Sequence, residues 1–465
     1  MTMGFLDLDS IAEARRMAER AHEAAARFKR FAPEQVDAIV EAMCRAIVPE
    51  CRRLGELAVT ETGYGNTDDK ELKNLFNALG VADWLRNVRT LGVLWKDETT
   101  KIMAIGEPMG VVAAIIPVTN PTSTVIYKTL SAVKAGNAVV HAPHPRGTAC
   151  SNETARVLAE AAEQAGAPAG LVQCLSRPTL EGTAELMRHH RTSVVMATGG
   201  GAMVRAAYSS GKPTLAVGPG NVPVYVDPSM RNDLAEVATM IVASKSFDYG
   251  TACVAEQAIV AHQSIAEPLR HELRTAGAYF CTTAEAARLA ATIFGPELGV
   301  VVANVGQSAS RLADLSGFSV PPKTKVLIAN LEPNEIGRGT PLSAEKLNPV
   351  LAYYAVRDLD HGAEVCGGIL RFGGEGHTMG IHSHDPDVVV RLSGLPAGRI
   401  VVNTPCLHGG MGFSTDIEPS FMLGTGTWSG SIVSDNVTAL HLINIKRVAY
   451  ESRPWRSLRD YMEAR

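Results

Sequence analysis

Val111-Val112-Ala113-Ala114-Ile115-Ile116-Pro117-Val118 is an uninterrupted apolar run rich in β-branched residues, and a new rhythm begins with it. From here short apolar runs at 111–118, 138–142, 171–175, 193–197 and 214–217 read as strands. Stretches at 122–135, 148–165, 180–189 and 201–210 read as helices between them. Continuous apolar strands separated by helices predict a parallel sheet covered on both faces. The fold class is therefore α/β, with a doubly wound, Rossmann-type nucleotide-binding domain.

Upstream of this sheet, residues 11–28, 33–62 and 68–88 carry apolar residues at helical spacing and read as three amphipathic helices. Downstream, Pro219, Pro223 and Pro228 punctuate a boundary. A second αβ series follows, with a helix at 231–246, a strand at 256–261 and a helix at 263–276. The expected division is 1–226 for the cofactor domain, 227–420 for a second α/β domain carrying Cys253, and 421–465 for a return segment and tail.

Composition excludes several function classes. The chain has 465 residues, 46% hydrophobic and 20% charged, with a net charge of -4. It has no basic footprint for nucleic acid and no polybasic membrane segment. Its longest apolar runs are near eight residues, where a membrane span needs about 20. The first residues do not read as a secretory signal. Eight scattered cysteines without a CxxC pair argue against a structural metal and a disulfide framework, and for a reducing cytoplasm.

Two segments carry chemistry. Val194 to Val204 reads as strand, Thr198-Gly199-Gly200-Gly201 turn and helix start, an arrangement that brings backbone amides and a helix N-terminus to an anion. A tight turn that needs glycine for its backbone is an equally good reading of these glycines alone. The second segment is Phe247-Asp248-Tyr249-Gly250-Thr251-Ala252-Cys253-Val254-Ala255-Glu256-Gln257. It sets Cys253 after a glycine-punctuated turn and before a strand, where a thiolate would be open to an electrophile. Most cysteines are inert small hydrophobes, so Cys253 alone decides nothing.

The stretch Asp248 to Gln257 resembles the active-site cysteine motif of the aldehyde dehydrogenase superfamily, and within it the CoA-acylating branch that acts on acetaldehyde, propionaldehyde and succinate semialdehyde. Ile116-Pro117-Val118-Thr119-Asn120-Pro121-Thr122, Tyr208 to Pro213 with Gly218-Pro219-Gly220-Asn221-Val222-Pro223, and His408-Gly409-Gly410-Met411-Gly412 agree in the same order. The resemblance implies that Cys253 attacks an aldehyde carbonyl and ends as a thioester after hydride loss. It implies that Asn120 and the Cys253 backbone N–H hold the oxyanion, a donor of that kind contributing about 3 kcal/mol. Without that context, Asn120 reads as a turn residue before Pro121.

The resemblance assigns the dinucleotide to Thr119, Pro143, His144, Arg146, Thr198, Gly199, Gly200, Val204, Gly218 and Glu345, with Glu345 on the nicotinamide ribose. His144 alone reads as a turn histidine. Arg146 is available to a 2′-phosphate, so NAD and NADP both stay open. Thr251, Ala252, Val254 and His408 in the 406–415 loop are expected to line the aldehyde pocket. No carboxylate lies between Arg205 and Asp227. Hydrolytic relatives carry a water-activating glutamate there, at the position that reads as Ala216. Its absence favours release of the acyl group to the thiol of coenzyme A, because general-base help to water is worth about 100- to 10,000-fold. The partners implied are a small aldehyde and CoA, and an anionic aldehyde such as sulfoacetaldehyde or succinate semialdehyde stays open. A hydrolytic dehydrogenase and a catalytically dead assembly protein are the competing readings. A hairpin arm near 98–108 and the tail imply a homodimer or homotetramer. A first helix expected to begin near residue 9 or 10, with no linker before it, implies a free cytoplasmic enzyme.

Overall fold

The computed structural model describes residues 2–463. After the N-terminal helices comes an antiparallel arm, β1 (Gly92–Asp97) and β2 (Ile102–Pro108). The chain then lays down β3 (Val111–Ile116), β4 (Ala138–Pro143), β5 (Val172–Cys174), β6 (Thr192–Thr198) and β7 (Thr214–Val217) as a parallel sheet in the order β5-β4-β3-β6-β7. Ala113 and Ala114 point to opposite faces of β3 and both are fully buried, as a sheet covered on both sides requires. Strand order reverses between β3 and β6. A crevice opens outside the carboxyl ends of the strands at such a point.

A second parallel sheet contains β8 (Val222–Val226), β9 (Glu256–His262), β10 (Ala278–Cys281), β11 (Val326–Asn330), β12 (Val350–Val356), β13 (Gly376–His382) and β14 (Ala397–Val402). Its order is β10-β11-β12-β9-β8-β13-β14. The chain thus passes between sheets within Gly218 to Asn221, not after residue 226: the run containing Pro223 is a buried strand. The β8–β9 register shifts between Val222 and Pro223, an irregularity of the kind at which a sheet tolerates proline. The last strand, β15 (Ile443–Ala449), returns to pair with β2 and makes the arm three-stranded.

The helices differ from expectation at their ends. The first spans Thr2–Phe28, not a start near residue 9 or 10. Its stripe of Ala14, Ala18, Ala21 and Ala24 is fully buried and allows close approach to the helix Leu180–Arg188 and to β4. The stretch 33–62 divides at Pro49, which has no N–H for the helical ladder, into Pro33–Ile47 and Cys51–Thr62. The stretch 68–88 divides around a π-helical insert, Phe76–Val81, between Thr67–Leu75 and Ala82–Arg86. The hairpin arm begins at Gly92, with the turn rather than the first strand at 98–101.

Candidate active site

A cavity of about 480 Å³ occupies the crevice. The loop after β3 contributes Pro117, Val118, Thr119 and Asn120; the turn after β6 contributes Thr198, Gly199 and Gly200; and the crossing segment contributes Gly218 and Pro219. Thr251, Cys253 and Glu345 enter from the second sheet's side. The thiol and the glycine turn, 54 residues apart in sequence by their numbers 199 and 253, therefore share one cavity.

Cys253 is partly exposed, whereas the other seven cysteines are buried. Its loop is shaped by Phe247–Gly250, in which Asp248, Tyr249 and Gly250 take left-handed φ values of 46°, 51° and 71°. Glycine adopts that region freely; Asp248 and Tyr249 do so at a cost of about 1–3 kcal/mol each and need outside support. Burial, then the Glu345 carboxylate, push the thiol up to about 12. Arg399, the residue's own backbone N–H and Lys73 act in the opposite direction. Nucleophilic attack uses the thiolate, so burial works against reactivity here and Arg399 and Lys73 work for it.

Asn120 is the residue before the helix Pro121–Lys134, yet its side chain makes no capping bond. Its Nδ2 donates to Thr119 Oγ1 at 3.1 Å and its Oδ1 accepts from Lys73 Nζ at 2.6 Å. Glu345 is the one carboxylate among the described residues that lines the cavity. Its Oε1 accepts the Gly220 N–H at 3.1 Å, and burial raises its pKa to about 7.

The residues expected at the dinucleotide separate into two groups. Thr119, Pro143, His144, Thr198, Gly199, Gly200, Gly218 and Glu345 line the cavity. Thr198 Oγ1 is buried with no partner among the described residues, as fits a group awaiting a ligand. His144 Nδ1 accepts the Arg146 N–H at 3.1 Å and closes the turn that follows β4. Arg146 and Val204 lie outside the lining. The Arg146 guanidinium donates to Tyr64 Oη and Thr62 O at 2.9 Å each and stacks over the Tyr64 ring. Met203 reaches the cavity in place of Val204, whose Cγ2 sits under Gly218. Of the expected pocket residues, Thr251 lines the cavity. Ala252 and Val254 pack instead with Leu407 and Leu423, and His408 lies against Phe413 with ring centroids 5.2 Å apart. Ala216 is fully buried within β7, and its carbonyl accepts from Ser431 Oγ at 3.0 Å.

Four further residues had no signal in the sequence. Lys70 and Lys73, one helical turn apart on Thr67–Leu75, converge on buried Asp248 at 2.9 and 2.5 Å. Arg399 is buried with carbonyls, one amide oxygen and one hydroxyl as its partners. His377 packs against the Gly220–Cys253 crossing with Nε2 unpartnered among the described residues, and burial followed by the Arg399 charge lowers its pKa to about 3. Helical spacing suggests the first pair only after the partner is known; the other two depend on tertiary contact alone.

A cysteine, an amide donor and a strand–glycine turn–helix around one crevice define an oxidoreductase-like site with a covalent step. The aldehyde dehydrogenase family model matches residues 5–297, and the chain belongs to that family. It is 36% identical over 457 residues to the bifunctional aldehyde-alcohol dehydrogenase AdhE of Escherichia coli, covering 97% of this chain and 51% of that protein. The chain thus spans about half the length of that relative. It is 37% identical over 436 residues to the acylating sulfoacetaldehyde dehydrogenase of Cupriavidus necator, covering 92% and 87% of the two chains. The crystal structure of an acetylating aldehyde dehydrogenase from Geobacillus thermoglucosidasius superposes with a TM-score of 0.94 at 45% identity, over 97% of this chain and 99% of that one. The propionaldehyde dehydrogenase of Rhodopseudomonas palustris, solved with bound CoA and an acylated cysteine, gives 0.85 at 26% identity over 94% and 97%.

Proposed function

We propose that the chain converts a short aldehyde into its acyl-CoA with a nicotinamide dinucleotide as oxidant, reversibly. Cys253 gives its thiol proton to solvent and its sulfur bonds the aldehyde carbon, while Asn120 Nδ2 together with the Cys253 backbone N–H receives the developing oxyanion. The residues that would hold the dinucleotide are Thr198, Gly199, Gly200, Gly218 and Glu345; it would supply the hydride acceptor, so that oxidation of the Cys253 adduct would leave a thioester on the sulfur. The free thiol of CoA then takes the acyl group and Cys253 regains its proton.

The observation that carries this reading is the segment between β7 and β8. It crosses beneath Cys253 and brings only Gly218 and Pro219 to the cavity, with no titratable side chain. Water there lacks the general base that its attack on a thioester needs, whereas a thiol is the stronger nucleophile. Among the described residues no lysine or arginine lines the cavity, which favours a neutral aldehyde over an anionic one and NAD over NADP. Glu61 strengthens the second preference: its carboxylate already accepts the Ala149 and Cys150 N–H groups at the N-terminus of the helix after β4.

The test is reduction of NAD and NADP by acetaldehyde, propionaldehyde, sulfoacetaldehyde and succinate semialdehyde, with and without CoA. Turnover that is CoA-dependent and NAD-selective on the two neutral aldehydes is expected. Equal turnover without CoA would overturn thiol transfer in favour of hydrolysis.

Self-association is part of the same reading. Residues Asn444 to Arg447 of β15 are exposed, and the outer edge of β15 is unpaired among the described strands. An open edge of that kind is normally covered, and a second copy is the partner we assign it. Sedimentation of the full chain should give a dimer or tetramer. Eight unpaired cysteines fit a reducing, cytoplasmic location, and no helix among the described residues is long and apolar enough to cross a membrane.

A further inference from the structure

We infer that Lys73 is a positioning residue that orients and polarises the Asn120 amide for oxyanion stabilisation. The inference rests on the Cys253–Asn120 reading above and adds to it a residue from the N-terminal helices.

Lysine has three donors and no acceptor. All three ammonium hydrogens are used: Asn120 Oδ1 at 2.6 Å, Asp248 Oδ2 at 2.5 Å and Thr251 Oγ1 at 3.0 Å. The Asn120 atom facing this ammonium must be oxygen, because an NH2 group cannot accept. The amide is therefore fixed with its nitrogen turned away from Lys73. One Nδ2 hydrogen goes to Thr119 Oγ1 at 3.1 Å, and the other is left for a ligand in the cavity that Asn120 shares with Cys253. A cation on the carbonyl oxygen of an amide draws charge from its nitrogen and strengthens the remaining N–H as a donor.

The ammonium is itself held rigidly. Its residue is buried, and so is Asp248, whose Oδ2 also accepts Thr251 Oγ1 at 2.7 Å and Lys70 Nζ at 2.9 Å. Lys70 donates further to Thr119 O at 3.1 Å. Asp248 Oδ1 takes the Asn66 N–H at 3.0 Å, and the Asp248 N–H goes to Asp69 Oδ2 at 2.7 Å. The helix Thr67–Leu75 is in this way tied to the loop of Asn120 and to the loop of Cys253 at once. The same ties support the left-handed backbone at Asp248 and Tyr249. Two lysines on one aspartate exceed what is needed to neutralise it, and the second is the one that reaches the amide.

The test uses the p-nitrophenolate burst from p-nitrophenyl acetate, which needs neither cofactor nor aldehyde. Cys253 sulfur bonds the ester carbonyl carbon, the C–O bond breaks, p-nitrophenolate leaves and the thiol proton passes to solvent. Loss of the donor in Asn120→Ala is expected to slow this burst about 100- to 1,000-fold. Lys73→Met should slow it about 10- to 100-fold, and in the Asn120→Ala background should add less than about threefold, since both act through one amide. NAD affinity should be unchanged, and Lys73→Arg should recover part of the rate. Losses that multiply in the double variant, or a burst in Lys73→Met equal to wild type, would overturn the inference. Should Lys73→Met not fold, Lys73→Gln and Lys73→Arg enter the same cycle. A burst absent from wild type, or surviving Cys253→Ala, would overturn the Cys253 reading beneath it; a Cys253-dependent burst indifferent to Lys73 would overturn this inference alone.

Discussion

Gly220 and Cys253 cross so closely that a Cβ on the glycine would stand 2.4 Å from the Cys253 carbonyl oxygen and 3.0 Å from the His377 ring. The obstacle is backbone, which cannot rotate aside, so the two segments would have to part. Gly220 N–H also holds Glu345 Oε1. Gly220→Ala should move the thiol relative to Asn120 and lower kcat by at least about 100-fold, the scale on which misplacement by an ångström acts. Overpacking should cost about 1–3 kcal/mol of stability. Steady-state kinetics and a thermal melt check both; unchanged kcat would refute the close crossing.

Glu345 gives the pH dependence a defined sign. Its pKa is raised to about 7 by burial, so the folded state keeps a proton there that the unfolded chain releases near the usual carboxylate value of 4.5. Its contribution to stability is complete below about 4.5 and is lost as pH rises to about 7. Activity should move the opposite way. Only the ionised carboxylate offers both oxygens as full acceptors, one to the Gly220 N–H and one to the dinucleotide. The kcat/KM profile is expected to rise through pH 7, and Glu345→Gln should lower the rate and abolish that limb.

The first parallel sheet was legible almost residue by residue, because strands buried on both faces are mostly apolar and helices of a different periodicity separate them. Val111–Ile116 and Thr214–Val217 fall within or on their expected limits. Val222–Val226 was hidden by Pro223, which reads as a breaker unless the register shift that accommodates it is known. The same limit applies to the site. Residues in contiguous motifs, such as Thr198-Gly199-Gly200 and Cys253, reach the cavity because their local backbone aims them there. Arg146 does not, although it lies between His144 and the helix after β4. Its orientation is decided by Tyr64 and Thr62, 82 and 84 residues away. Lys73 reaches Asn120 and Asp248 across 47 and 175 residues, beyond any local pattern.

Arg146 supplies a direct check of this difference. If its guanidinium is committed to Thr62 and Tyr64, Arg146→Ala should leave the ratio of kcat/KM for NADP and NAD within about threefold of wild type. The loss would fall on stability, at about 1–3 kcal/mol for two charged hydrogen bonds and the stacked ring. A selective loss of NADP use would instead place the side chain on a 2′-phosphate.

Lys245 allows the buried charges to be tested through folding alone. Its Nζ donates to Gln257 Oε1 at 3.0 Å in a pocket that also buries Lys346. Burial is the largest influence and lowers its pKa to about 7, against the opposing pull of Glu256 and Glu345. Between about 7 and the ordinary 10.5 the unfolded chain binds a proton at this site that the folded chain does not. Stability from this group therefore rises with pH across that window, and the penalty is greatest below it. Other buried lysines and the buried cysteines also titrate in this range, so the informative quantity is the difference between wild type and Lys245→Met. Urea melts at pH 6.5 and 9.5 should show wild type gaining on the variant as pH rises. A gap independent of pH would mean that Lys245 keeps its proton throughout, held by Glu256 and Glu345 more strongly than burial opposes it.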